Sequence, residues 1–246
     1  MNVDEVVHAI EQRLLAAASP ARAESEKRYL KSDLTFLGAT VWQIRSAVRE
    51  VMAEGPDPSH GDVATLVTAL WERPVFERKM AAVMILDRFA DRLDADDLPL
   101  IGRLVRESRT WALVDGLAGD VLGTLVRRET DAVTPILDRW ASDDDFWIRR
   151  ASLLAELRPI RHGADLDRFL SRAEPMLAEK EFFIRKAIGW VLREAGKRRP
   201  DEVAAWLAPR TDRASGVTMR EAVKYLTPSD ADRLMRAYRE HRRADQ

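Results

Sequence analysis

Apolar residues recur at spacings of three and four along almost the whole chain, the pattern of helices that each bury one face. No segment shows the strict alternation of a half-buried strand. Glycine and proline are few, and they mark breaks such as the loop Gly55-Pro56-Asp57-Pro58. We therefore predict an all-α protein, with helices over Met1–Ala18, Arg22–Lys31, Val41–Ala53, 62–72, 75–90, 96–107, 110–127, 131–141, 145–157, 164–178, 181–197, 201–207, 217–225 and 229–242.

An internal repeat organises these helices. The stretch DFWIRRASLLAE at 145–156 resembles EFFIRKAIGWVLRE at 181–194, and aligning Trp147 with Phe183 gives a spacing of 36 residues. Steps of 36 and 35 lead back to Trp111 and Phe76. Such a period is typical of helical solenoids close to HEAT arrays. We expect one helical-repeat domain over 1–246, comprising N-terminal capping helices (1–55), core repeats (60–227) and a C-terminal helix (228–246).

The repeat also places cations in equivalent positions. Lys79, Arg150 and Lys186 each stand three residues after an aromatic residue of the repeat. In a solenoid these positions would face one concave surface, and a basic stripe there would engage nucleic-acid phosphates. The alternative is that these side chains only solvate helix surfaces. Further cations near the same predicted surface are Arg149, Arg185 and Arg193.

Composition narrows the classes of function. Forty Lys and Arg residues against 41 Asp and Glu give a net charge of −1, which argues against indiscriminate coating of nucleic acid but permits a local basic face. The absence of cysteine excludes disulfides and cysteine zinc sites. The four histidines show no metal-ligand spacing, and no cofactor motif, signal peptide or bilayer-long apolar run is present. We expect a cytoplasmic monomer that binds no membrane, metal or cofactor.

One acidic residue interrupts the repeat pattern. In SRTWALVDGLAGDVLG at 108–123, Asp115 stands where the two following repeats have alanine, and it lies four residues after Trp111 on the same helix face. An acid on a face of aromatic and small residues is costly unless it is paired or used. The alternative is a surface aspartate paired with Arg109 or Arg150.

A tryptophan interrupts the pattern in the same way. Trp190 follows Phe183 by seven residues, at a position where the other repeats have smaller side chains. Core packing is the alternative explanation for a single indole. Gly189, directly before it, would allow another backbone to approach closely.

Six stretches together resemble, in order, the AlkD family of DNA alkylation repair proteins. They are KRYLKSDLTFLGAT, LWERPVFERKMAA, TWALVDGLAGDVLG, FWIRRASLLAEL, EFFIRKAIGWVLRE and MREAVKYL, and they extend from about residue 20 to about residue 227. The resemblance implies a right-handed stack of HEAT-like repeats that wraps duplex DNA in a concave basic groove. It also implies a monofunctional glycosylase that hydrolyses the N-glycosidic bond of cationic lesions such as 3-methyladenine and 7-methylguanine.

The resemblance assigns roles to five residues present in this chain. The catalytic acid of the family corresponds to Asp115, its two groove tryptophans to Trp111 and Trp190, its groove arginine to Arg150, and a tyrosine near the N-terminal helices to Tyr29. The implied chemistry agrees with the pattern of the residues, because a carboxylate can stabilise the positive charge that develops on the sugar during glycosidic cleavage.

The chain departs from the family pattern in one loop. The family has a Thr-Pro-Glu-Arg type sequence after FLG, whereas Thr40-Val41-Trp42-Gln43 follows here. Two alternatives therefore stay open beside a methylpurine glycosylase. One is a non-catalytic HEAT-like scaffold that binds DNA or protein, and the other is a glycosylase specialised for bulky alkyl adducts.

Overall fold

A computed structural model describes residues 1–244 and confirms the all-α prediction. Two residues, Thr35 and Val75, form an isolated bridge, and no strand occurs in the part of the chain that the structure describes. None of the helices in this part is long and apolar enough to cross a membrane. The helices are α1 (Val3–Ala16), α2 (Pro20–Leu30), α3 (Val41–Glu54), α4 (His60–Trp71), α5 (Phe76–Arg88), α6 (Leu98–Ser108), α7 (Trp111–Asp115), α8 (Gly123–Arg128), α9 (Thr130–Trp140), α10 (Phe146–Leu154), α11 (Leu157–Arg161), α12 (Asp167–Met176), α13 (Phe182–Gly196), α14 (Pro200–Leu207), α15 (Gly216–Ala222) and α16 (Pro228–Ala244).

The chain forms two compact units, Met1–Leu125 and a second that begins at Val126. In the first unit α1 packs against α3 and α4, and α4 packs against α5. In the second unit α13 is the central helix, with α15 and α10 packed against it. The prediction of one domain with capping, core and C-terminal segments stays a prediction, as do the handedness and the concave groove.

Two helix predictions were wrong in detail. The predicted helix 110–127 is interrupted after Asp115 by a π-helix, Gly116–Leu122. The predicted helix 145–157 ends at Leu154, and α11 follows as a separate helix. The second break has a simple cause, because Pro159 has no N–H to donate to the carbonyl of Ala155 in a continuous helix.

The predicted repeat is visible in the helices. Phe76 and Trp111 are the first residues of α5 and α7, and Trp147 and Phe183 are the second residues of α10 and α13. All four aromatic residues therefore lie within the first two residues of a helix. Polar contacts inside each unit also join residues one period apart, at separations of 37, 35, 33 and 35 residues: His60 with Asp97, Arg92 with Asp57, Arg161 with Glu194, and Lys186 with Glu221.

Helix α15 lies close to α13 at Gly189, as the sequence suggested. A Cβ atom at this position would lie 2.7 Å from the Glu221 Cβ and 3.0 Å from the Thr218 carbonyl oxygen. We expect Gly189→Ala to lower the free energy of unfolding by about 1–3 kcal/mol, because the helices must separate to admit the methyl group. Urea denaturation measures the change.

Gly61→Ala is the matched control, because a Cβ at this helical glycine of α4 meets nothing within 4 Å. Alanine there is expected to be neutral or stabilising, since it restricts the unfolded chain. Equal stability of the two variants would contradict close packing at Gly189.

Candidate functional site

Helix α7 carries the two residues at the centre of the candidate site. Trp111 and Asp115 are its first and last residues, so their side chains lie on the same face. Both are half-buried, whereas Leu113 and Val114 between them are fully buried. The helix begins sharply: Arg109 has a left-handed backbone with φ of 47°, and Thr110 is extended. The short helix therefore places an indole and a carboxylate at the protein surface, while its other face is buried in the core.

A π-helix, Gly116–Leu122, directly follows Asp115 in the candidate site. Its Leu117 and Ala118 are completely buried. A Cβ at Gly116 would lie 2.8 Å from the Val83 side chain, so the glycine allows α5 to approach. A π-helix adds a residue to the turn and often marks a functional site, because it changes the direction of neighbouring side chains. The carboxylate of Asp115 thus stands at the junction of two helix types.

Tyr29 contacts the indole of Trp111. The ring centroids are 5.9 Å apart and the planes meet at 86°, an edge-to-face arrangement. Tyr29 lies near the end of α2 and is 72% exposed. The structure therefore brings together two of the predicted residues, Tyr29 and Trp111, with Asp115 on the face that Trp111 presents.

Glu77, which sequence reasoning missed, holds the loop against which α2 begins. Its fully buried carboxylate accepts hydrogen bonds from the backbone N–H groups of Leu37, at 2.9 Å, and Gly38, at 2.6 Å. The carbonyl of Leu37 in turn accepts from Ser19, the residue before α2. Burial raises the pKa of Glu77, while the backbone hydrogen bonds lower it; the net shift is upward. A carboxylate in α5 is thus linked, through the backbone of Leu37, to the start of the helix that carries Tyr29.

The segment that departs from the family pattern begins α3. The Thr40 side chain accepts a hydrogen bond from the Gln43 N–H, and the Gln43 side chain accepts one from the Thr40 N–H, which is a capping box. Trp42, between them, projects outward and is 72% exposed. The altered residues are therefore compatible with the start of the helix, and they leave an indole on the surface.

Lys79 lies inside the first unit and is only 6% exposed. Its ammonium group is 4.4 Å from the centre of the Trp71 ring. Burial lowers the pKa of Lys79. Its predicted contact with DNA stays a prediction, and its side chain lines a cavity of the first unit.

Arg150 in the second unit is also buried, with 2% of its surface exposed. Its Nη1 donates a hydrogen bond of 2.5 Å to the carbonyl oxygen of Phe183, and its guanidinium lies 5.8 Å from the centre of the Phe183 ring. The side chain therefore joins α10 to α13. Its predicted role at a phosphate stays a prediction.

Two predicted cations meet at Glu179. Arg149 donates to the Glu179 carboxylate at 3.1 and 2.9 Å, and Arg185 donates to the Glu179 backbone carbonyl at 2.6 Å. The charge of Arg149 is thus partly compensated by an acid that sequence reasoning did not consider.

Two more predicted cations meet at Glu221. Lys186 binds its carboxylate at 2.7 Å and Lys224 at 2.9 Å, and Arg193 also donates to it. Burial raises the pKa of Glu221, but the hydrogen bonds and charges of these cations outweigh it and lower the pKa to about 2. The carboxylate is therefore ionised at neutral pH, and it offsets part of the positive charge. Glu221 stands 35 residues after Lys186. This separation of one repeat is the feature of the sequence from which the pair could have been predicted.

Trp190 lies on α13 and is half-buried. The residues at the equivalent positions of the other repeats, Leu154, Ala118 and Val83, are at most 3% exposed. The indole of Trp190 is thus partly accessible at a position where the side chains of the other repeats are buried. Among the described residues, no group of three or more His, Asp and Glu side chains is arranged to hold a metal ion.

Comparisons with known proteins agree with the family resemblance found in the sequence. The family model described as DNA alkylation repair enzyme matches residues 10–226. A search of curated protein sequences finds no match.

Solved structures share the fold at low sequence identity. A predicted DNA alkylation repair enzyme from Enterococcus faecalis has a TM-score of 0.77 and 21% identity, covering 86% of this chain and 97% of that one. AlkD2 from Streptococcus mutans has a TM-score of 0.61 and 16% identity, covering 83% and 99%. The alkylpurine DNA glycosylase AlkC of Pseudomonas fluorescens, bound to DNA containing an abasic site analogue, has a TM-score of 0.51 and 15% identity, covering 95% and 66%.

Proposed function

Because the chain belongs to the DNA alkylation repair enzyme family, we propose that it is a monofunctional DNA glycosylase acting on cationic alkylated purines in duplex DNA. The substrates we propose are 3-methyladenine and 7-methylguanine. The observation that carries the proposal is the half-buried carboxylate of Asp115, held on the same helix face as Trp111, with Tyr29 against that indole.

The proposed reaction uses the charge that the lesion already carries. A methylated purine is positively charged, so it leaves as a neutral base and takes the electrons of the glycosidic bond without a strong general acid. Positive charge then develops on the deoxyribose. The carboxylate of Asp115 stabilises this charge and accepts a proton from the water that attacks C1′. The electron-rich face of Trp111 favours the same cation. The products are a free base and an abasic site.

The proposed partner is double-stranded DNA, bound through phosphate contacts of the basic residues. Arg150 is proposed to hold a phosphate, and two of the three cations at Glu221, Lys186 and Arg193, add positive charge to the second unit. Trp190 is proposed to contact the substrate. The roles of Arg150 and Trp190 are each testable by substitution, independently of Asp115.

Charge compensation at Glu221 gives a prediction for DNA binding. We expect Glu221→Gln to strengthen binding to undamaged duplex at low salt and to steepen the dependence of log affinity on log salt by about one, because the charges of Lys186 and Arg193 become available to phosphates. Fluorescence anisotropy over a range of salt concentrations measures both quantities.

Glu202→Gln is the control, because it changes the net charge equally but removes only the pair with Arg199, at 3.2 Å. If both variants shift the affinity and the slope equally, the effect reflects net charge, and the assignment of a DNA contact to the Glu221 cluster is wrong. Circular dichroism should verify that each variant is folded.

A panel of alkylated duplexes tests the proposed function against its alternatives. We expect release of 7-methylguanine and 3-methyladenine, measured by chromatography of the free bases. Release of only bulky adducts would instead favour the specialised glycosylase, for which the exposed Trp42 is the favouring observation. Binding to every duplex without release of any base would favour a non-catalytic scaffold.

A further inference from the structure

A cavity of about 510 Å³ lies in the first unit, and no part of the proposed reaction uses it. Two of its buried side chains are Trp71, which is 2% exposed, and Lys79, which is 6% exposed. Three exposed arginines of the same lining are Arg103, Arg106 and Arg109. The volume is within the range of pockets that hold small ligands, about 300–1,000 Å³.

Two donor groups beside this cavity make no hydrogen bond with the described residues. The Nε1–H of Trp71 is buried and has no hydrogen-bond partner. The ammonium group of Lys79 lies over the Trp71 ring and makes no hydrogen bond or ion pair with the described residues. A buried donor without an acceptor costs about 1–3 kcal/mol, and more when it is charged. The cavity beside the Lys79 ammonium is therefore suited to a ligand that offers acceptor oxygens.

The acids of the lining do not supply that acceptor. Glu107 is paired with Arg103, at 3.6 Å on the same helix. Burial lowers the pKa of Lys79; the charge of Glu107 raises it, and the charges of Arg109 and Arg103 lower it. Lys79 is the only charged side chain of the lining that is buried. Asp33 and Glu72 are exposed members of the lining. The buried part of the cavity is thus positive.

Arg109 contributes a second feature. Its φ of 47° lies in the left-handed region, which is strained for a residue with a side chain. Among the described residues its guanidinium makes no hydrogen bond or ion pair. The strained residue thus places a cation in the cavity lining, two positions before Trp111.

We propose that this cavity binds a phosphate group, whose oxygens accept from the Lys79 ammonium while Arg109 pairs with its outer face. A phosphate supplies several acceptor oxygens and the negative charge that these donors lack. It comes either from a free phosphate or nucleotide, or from the backbone of DNA. The inference does not rest on the glycosylase reaction, because binding is measured without alkylated DNA.

The experiment is a titration of the full chain with inorganic phosphate at constant ionic strength. The indole Nε1–H resonance of Trp71, assigned with Trp71→Phe, reports on the site in ¹H–¹⁵N correlation spectra. We expect a saturable shift of this resonance. Titrations with a nucleoside monophosphate and with undamaged duplex then distinguish the sources: a shift with free phosphates alone identifies a small-molecule site, and displacement of phosphate by duplex identifies a backbone phosphate.

Lys79→Met is the test variant, because methionine keeps an unbranched side chain and removes the charge. We expect it to weaken phosphate binding by at least tenfold, whereas Lys27→Met, on the exposed surface of α2, should leave binding unchanged. Arg109→Asn, which tolerates the left-handed backbone, should weaken binding several-fold. An unsaturable shift, the same shift with chloride, or equal binding by Lys79→Met and the wild type would overturn the proposal.

Discussion

Asp115→Asn is expected to reduce the rate of 7-methylguanine excision by on the order of 100-fold or more. Asparagine keeps the shape of the side chain but removes the negative charge that stabilises the developing sugar cation and the group that accepts the proton from water. The affinity for a duplex with an abasic-site analogue should stay within about threefold, because Asp115 is expected to contribute to the transition state rather than to ground-state binding. Single-turnover rates and anisotropy titrations measure the two quantities separately.

Asp120→Asn is the matched control, an exposed aspartate five residues further along the same helical stretch. It should excise at the wild-type rate. A purified, folded Asp115→Asn variant with wild-type excision would remove Asp115 from the mechanism. An equal loss of rate and affinity would instead assign it to DNA binding.

Glu77→Ala is expected to lower the free energy of unfolding by about 2–4 kcal/mol. The substitution leaves the N–H groups of Leu37 and Gly38 without their acceptor and opens a void at a completely buried position. Because the Leu37–Gly38 loop supports the start of α2, the contact of Tyr29 with Trp111 should weaken as well. Urea denaturation and excision rates measure these effects.

Two comparisons make the Glu77 result specific. Glu24→Ala, at an exposed position of α2, should change stability by less than about 0.5 kcal/mol. Glu77→Gln, which keeps one acceptor oxygen, should fall between Glu77→Ala and the wild type. If Glu77→Ala is as stable as Glu24→Ala, the loop does not depend on this carboxylate.

The periodicity of apolar residues predicted the helices because each helix must bury an apolar stripe. This pattern can be recognised in the sequence even when the helix that covers the stripe is not known. It did not predict the π-helix after Asp115, since one additional residue in a turn hardly changes a pattern of threes and fours. Gly116 admits the Val83 side chain, but a glycine within a helical pattern does not by itself indicate a π-helix. The break before α11 could have been predicted from Pro159.

Departures from the repeat indicated Asp115 and Trp190 as candidates, because the repeat shows which type of residue is usual at each position. The partners of the predicted cations could not be identified in this way. Glu179 and Glu221 reach Arg149 and Lys186 from the next repeat, and such a contact depends on side-chain direction as well as register. The burial of Lys79 on Trp71 was unpredictable for the same reason.

The central claim is that this chain removes an alkylated purine by simple hydrolysis. Its most direct test is a single-turnover reaction with a duplex that contains one site-specific 7-methylguanine, followed by separation of free base and DNA strands. The account predicts free 7-methylguanine and an abasic strand that breaks only after treatment with alkali. Base release no faster than spontaneous depurination, from a duplex that the protein has bound, would contradict it.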